Sequence, residues 1–71
     1  MIDVILNKEF IELYALLKLE SLAASGGEAK FFISEGKVRV NGEVETRKRK
    51  KLVAGDKVEF AGETLVLKTL P

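Results

Sequence analysis

A chain of 71 residues that contains no Cys and no His cannot be a disulfide-stapled scaffold and has no thiolate or imidazole to offer a metal ion. Apolar residues make up 46% of the chain, enough for a small core, but no run approaches the roughly 20 apolar residues of a membrane span. The first residues also lack the basic start and long apolar stretch of a signal peptide. We therefore predict one cytoplasmic domain over residues 1–71.

Charge is distributed unevenly along the chain, although the net charge is only +1. Residues 1–35 carry three basic and six acidic side chains, whereas residues 36–71 carry nine basic and five acidic ones. This asymmetry predicts that one side of the domain meets a polyanionic partner.

The first 19 residues predict a strand followed by a helix. Ile2, Val4 and Leu6 alternate with their neighbours, which is typical of a short strand. Asn7 then occupies the position of a helix N-cap. Apolar residues follow at the spacing of one helix face: Phe10, Leu13, Tyr14 and Leu17. Three more widen this arc, so that the helix is expected to pack on two sides: Ile11, Leu16 and Leu19.

A second, short helix is predicted to begin after Ser25. Ser25 and Glu28 form a capping box, in which each side chain accepts a backbone N–H at the start of the helix. Ala29, Phe32 and Ile33 supply its buried face. Gly36 is placed to adopt a positive φ and end the helix.

Two hairpins follow. The dipeptide Asn41-Gly42 predicts a turn between Lys37–Val40 and the next strand. A three-residue loop with a bulge is expected, because it would place four residues on one face: Val38, Val40, Val44 and Thr46. Gly55-Asp56 makes a turn, and the second hairpin turns at Ala61-Gly62-Glu63. The fold class is α+β, with the order β-α-α-β-β-β-β and two short helices packed on a small, mostly antiparallel sheet.

Catalysis has little support in the sequence. General acid–base or nucleophilic chemistry needs a base beside a reacting group, and only scattered Glu, Lys, Ser and one Tyr are present. Glu43 and Glu45 on a basic hairpin are better interpreted as ion-pair partners than as metal ligands. We predict no enzyme activity, no cofactor and no metal site.

The most distinctive feature is the run of five basic residues Arg47–Lys51. Such a run can be a solvated loop. However, residues 30–51 contain eight basic and three acidic residues, and repulsion concentrated in a small domain favours an anionic partner. A long basic helix for the DNA major groove is missing, and Phe31 is the one aromatic residue expected to be exposed. Contacts to the phosphates of structured RNA therefore fit best.

The same stretch resembles the α-L RNA-binding motif, the S-four-type domain named after a small-subunit ribosomal protein. The matching features are Gly26-Gly27, Ala29-Lys30, Val38–Gly42 and the basic run followed by Gly55-Asp56. The chain is also similar to the stand-alone YbcJ-like members of this family. One departure is that Gly26, Gly27 and Glu28 stand where many members carry Arg or another polar residue.

The resemblance implies that the two helices and the hairpin bind structured RNA, with ribosomal and transfer RNA as candidates. We expect the protein to be a monomer. The resemblance also implies RNA contacts at Lys30, Lys37, Arg39, Arg47, Lys48, Arg49, Lys50 and Lys51. The expected structural turn residues are Gly36, Asn41, Gly42 and Gly55. The alternative is a protein-interaction module that docks a partner on the apolar face of helix one.

Overall fold

Two helices and seven strands lie within residues 1–69, which are the residues that this computed structural model describes. In chain order they are β1 (Ile2–Leu6), β2 (Ile11–Glu12), α1 (Leu13–Leu19), α2 (Gly26–Ser34), β3 (Arg39–Val40), β4 (Glu43–Val44), β5 (Lys51–Leu52), β6 (Lys57–Phe60) and β7 (Glu63–Thr69). The predicted α+β class, with two helices on a mostly antiparallel sheet, is confirmed. Strands β2 and β5 are additions to the predicted order.

The main sheet has five strands in the order β1-β7-β6-β3-β4. Strand β1 runs parallel to β7, with Val4 opposite Leu67, and the remaining pairs are antiparallel. Alternate residues of β1, β6 and β7 are buried in one core with Leu13, Leu16 and Leu17 of α1 and Ala29 and Ile33 of α2. The helices therefore cover one face of the sheet.

The start and end of α2 agree with the sequence. The Ser25 Oγ accepts the Glu28 backbone N–H at 3.1 Å, and the Glu28 Oε1 accepts the backbone N–H of Ala24 at 3.0 Å. This is the predicted capping box, with the carboxylate bound one residue earlier than the cap itself. Gly36 follows the helix with φ +75°, a conformation that favours glycine.

The predicted start of helix one is wrong. Helix α1 begins at Leu13, and its N-cap is Glu12 rather than Asn7. The preceding residues Ile11–Glu12 pair instead with Lys51–Leu52 in a separate two-stranded sheet. Local helical spacing from Phe10 onward therefore gives way to a non-local strand pair, which still buries Ile11. Phe10 is left outside the helix and 36% exposed.

The first hairpin also differs from the prediction. Val40 lies opposite Glu43, so the loop contains only Asn41 and Gly42, at φ +52° and +87°. Positive φ at both positions is the turn whose twist matches that of the flanking strands, and no bulge is needed. As a consequence Val44 lies opposite Arg39 and is 54% exposed, instead of sharing the buried face of Val40.

The second hairpin follows its predicted pattern. Val58, Phe60, Leu65 and Leu67 are buried, and their neighbours are half-buried or exposed. The turn is formed by Ala61-Gly62, while Glu63 already pairs with Phe60.

Neither helix in residues 1–69 has the length and apolar character needed to cross a membrane.

Candidate nucleic-acid interface

The five basic residues Arg47–Lys51, here called the basic loop, are attached to the start of helix α1. The Lys50 carbonyl accepts the Leu13 N–H at 2.9 Å, and the Lys48 carbonyl accepts the Tyr14 N–H at 3.1 Å. The first N–H groups of a helix have no partner within the helix, so these carbonyls satisfy two of them. Next to the loop, Leu52 is fully buried. The backbone of the basic loop is thus fixed at several points.

The side chains of the basic loop, in contrast, are turned toward solvent. Lys50 is half-buried and the other four residues are exposed. Four of the side chains line a depression of about 450 Å³: Arg47, Arg49, Lys50 and Lys51. A concave surface lined by cations on a fixed backbone is suited to an anionic ligand with more than one charge.

Tyr14 connects this loop to helix α2. The Lys30 Nζ lies 4.6 Å from the centre of the Tyr14 ring, and the Arg49 guanidinium carbon lies 5.6 Å from it. Both distances are those of a cation–π contact. A Cβ added at Gly26 would lie 3.7 Å from the same ring, in ordinary contact. The ring therefore brings Lys30 to the basic loop across the junction of the two helices.

Arg47 is the member of the loop with a close carboxylate partner. Its Nε and Nη2 donate to the two oxygens of Glu45 at 2.9 and 3.1 Å, and its backbone N–H donates to Glu45 Oε2 at 3.0 Å. The side-chain hydrogen bond from Arg47 lowers the pKa of Glu45 from 4.5 to about 2. Part of the charge of Arg47 is therefore neutralised inside the protein. The contact of Arg49 with an acid is longer, since its Nη1 lies 4.0 Å from Glu12 Oε2.

Lys37 and Arg39 lie apart from the Tyr14 contact. Arg39 is exposed on β3, opposite Val44 on one side and Glu59 on the other. Because successive side chains of a strand point to opposite faces, Arg39 lies on the face away from buried Val40 and the helices. Lys37 is exposed just before this strand. The structure brings Lys30 together with the basic loop and shows no such contact for Lys37 and Arg39 within residues 1–69.

The four predicted turn residues share a positive φ, which was predicted for Gly36 and Gly42. Gly36, Asn41, Gly42 and Gly55 have φ between +52° and +99°. Asn41 has a further role that the sequence reasoning missed. Its Nδ2 donates to Asp56 Oδ1 at 3.0 Å, and its Oδ1 accepts the Lys57 N–H at 2.9 Å. The Asn-Gly and Gly-Asp dipeptides therefore join the two hairpins, a pairing that only the fold reveals.

Sequence reasoning also missed Tyr14 as a contributor to the candidate interface. Its place in the apolar stripe of helix one predicts a core residue, and it is indeed half-buried against the core. The signal that could have drawn notice is a Tyr in that stripe, since Tyr combines an apolar body with a ring face that attracts cations. Its neighbours Lys30 and Arg49 are distant in sequence, so spacing alone could not reveal the contact.

The apolar face proposed for protein docking is largely used inside the fold. Ile11 is 7% exposed and Leu16 is fully buried, which leaves Leu19, 63% exposed.

Within the described residues, no three acidic side chains converge in a way that could hold a metal ion.

Comparison with known proteins agrees with the fold. A family model described as the S4 domain matches residues 4–68. The chain is 56% identical over 55 residues to "Putative RNA-binding protein YbcJ" of Escherichia coli (strain K12), which covers 78% of this chain and 79% of that protein. It is 46% identical over 57 residues to "Probable ribosome maturation protein RlbA" of Bacillus subtilis (strain 168), with 80% of each chain covered.

A solved structure gives the same result in three dimensions. The solution structure of YbcJ from E. coli, described as revealing an α-L motif involved in RNA binding, superposes with a TM-score of 0.73. The match has 49% sequence identity and covers 96% of this chain and 87% of that one. The extent of the family match, the identity to YbcJ and the shared architecture together establish that this chain belongs to the S4 domain family.

Proposed function

We propose that this protein is a non-catalytic RNA-binding module that recognises structured RNA mainly through phosphate contacts. The observation that carries the proposal is the basic loop: its backbone is fixed to α1, while its cations are exposed around one depression. The names of the relatives support it, since one is called an RNA-binding protein and another a ribosome maturation protein. Residues 1–71 are proposed to act as one binding unit.

Fixing the loop favours binding for two reasons. Cations held close together repel one another, and a phosphate backbone relieves that repulsion. A loop that is already ordered also loses less conformational entropy when the ligand binds. We assign the main contacts to Lys30, Lys48, Arg49, Lys50 and Lys51. Arg47 contributes less, because Glu45 already neutralises part of its charge. Lys37 and Arg39 stay predicted contacts, and Arg39 lies on the face of the sheet away from the helices.

The RNA partner is proposed to be ribosomal rather than transfer RNA, since one relative is named for ribosome maturation. Phosphate contacts carry little sequence information, so the fold of the RNA should matter more than its sequence. A monomer in the cytoplasm stays our prediction. The protein-docking alternative has only Leu19 left of its three proposed apolar residues.

A salt series tests the proposal. The affinity of the protein for a ribosomal RNA stem-loop is measured at several KCl concentrations, with polyglutamate as a control polyanion. If about four to five phosphates are neutralised, log K against log salt should slope by roughly −3 to −4. Failure to bind the stem-loop, or equal affinity for polyglutamate, would reject RNA as the ligand. If the stem-loop binds as expected, crosslinking in cells followed by sequencing of the bound RNA would identify the target.

A further inference from the structure

Phe10 occupies an unexpected place beside the basic loop. It precedes β2, is 36% exposed and is not part of the hydrophobic core. Strand β2 pairs with β5, which begins at Lys51, and the Lys51 Nζ lies 4.8 Å from the centre of the Phe10 ring. Lys51 is also one of the four residues that line the depression. Lys51 therefore links the two features, since it lines the depression and places its ammonium group over the Phe10 ring.

The other aromatic rings have different surroundings. Phe32 packs on Phe60 with ring centres 5.1 Å apart, and Tyr14 packs against the core. Phe31 is 56% exposed but lies on α2, where its ring is 6.0 Å from that of Phe32. A single exposed apolar residue is ordinary in a soluble protein. What distinguishes Phe10 is the combination of a partly open ring, a cation above it and, through that Lys51 cation, a link to the basic side chains that line the depression.

Resting on the RNA-binding function proposed above, we propose that Phe10 stacks an unpaired nucleobase whose flanking phosphates occupy the depression. Nucleobases have a π face that stacks on aromatic side chains, and basic grooves beside such rings hold the backbone. The flexible Lys51 side chain can move its ammonium from the ring to a phosphate, which leaves the ring face to the base. The preferred ligand is structured RNA with a bulged or looped-out nucleotide, and an uninterrupted duplex is a poorer ligand.

Two RNA stem-loops with the same number of phosphates test this inference. One carries a single bulged adenosine, and the other carries an abasic residue at that position. Wild-type protein should bind the bulged RNA about five- to tenfold more tightly, a modest value for a stack on one half-exposed ring. The variant Phe10→Leu should lose this preference, while Phe10→Trp should keep it. The matched control Phe31→Leu, at a more exposed ring that lies beside Phe32 on α2, should also keep it.

Equal affinity of wild-type protein for the two RNAs would overturn the stacking inference and leave the proposed function standing, provided that both bind with a steep salt dependence. A preference lost in Phe31→Leu instead of Phe10→Leu would overturn it as well. If neither RNA binds, the proposed function fails and the inference fails with it. With 2-aminopurine at the bulge, stacking on Phe10 should give a fluorescence change on binding that Phe10→Leu removes. The wild-type comparison needs no variant, so misfolding of Phe10→Leu would not spoil the test.

Discussion

The β6–β7 hairpin and the basic loop are positioned by different forces. In the hairpin, Val58, Phe60, Leu65 and Leu67 are buried, and a shift of one residue would expose all four. In the basic loop the side chains point to solvent, and position comes from backbone hydrogen bonds to Leu13 and Tyr14. Burial therefore builds the scaffold, whereas the position of the exposed basic loop depends on a few non-local hydrogen bonds to that scaffold.

Removing a core side chain from the hairpin should have the largest effect. Leu65 is fully buried on β7, which lies between β1 and β6 in the sheet. Leu65→Ala should destabilise the protein by about 2–5 kcal/mol, because it removes buried apolar surface and leaves a cavity. Urea unfolding followed by circular dichroism measures this. The control Val53→Ala, at a residue 47% exposed, should change the free energy of unfolding by less than about 0.5 kcal/mol. Similar losses in both variants would contradict the assignment of the core.

A strained turn should have the next largest effect. Gly42 has φ +87°, and a Cβ there meets nothing within 4 Å, so backbone strain alone would act. Gly42→Val should cost about 1–2 kcal/mol. Gly42→Asn should cost less, because Asn tolerates this conformation better. Thermal melts of the three proteins test the order, and a Val variant that melts with the wild type would refute the two-residue turn.

The link between the hairpins should contribute about 1 kcal/mol. Asn41→Ala removes the hydrogen bonds to Asp56 and to the Lys57 N–H. A double-mutant cycle with Asp56→Ala isolates the pairwise part, since both variants remove the same contact. We expect the double variant to be less destabilised than the sum of the single variants. Strict additivity would show that the contact does not contribute to stability.

Acid should act on the ion pair beside the basic loop with the smallest effect of this series. The pKa of Glu45 is lowered to about 2 by Arg47, so its contribution to stability is present above pH 4.5 and is lost as the pH falls toward 2. The difference in unfolding free energy between wild type and Glu45→Gln should therefore shrink over that interval. The side-chain carbon shift of Glu45 in NMR should titrate near pH 2. Titration close to pH 4.5 would rule out the bidentate pair.

The same contrast explains how far the sequence could predict the molecule. The capping box at Ser25 and the alternation in residues 57–67 depend on near neighbours, and both are found as expected. The start of α1 could not be predicted from local spacing, because Ile11–Glu12 pair with Lys51–Leu52, a strand far along the chain. Likewise, the run Arg47–Lys51 was visible as a basic segment. Its attachment to α1, and the contact of Lys30 with Arg49 through Tyr14, depend on the fold.

We propose that the basic loop, and not charge in general, binds RNA. The most direct test compares two triple variants that each remove three positive charges: Lys48, Arg49 and Lys51 to Ala in the loop, and the exposed residues Lys8, Lys18 and Lys57 to Ala elsewhere. Arg47 is retained so that Glu45 keeps its partner. In the salt series with a ribosomal stem-loop, the loop variant should flatten the slope of log K by about 2, and the control variant should leave it unchanged. Equal slopes for the loop variant and the wild type would contradict the account.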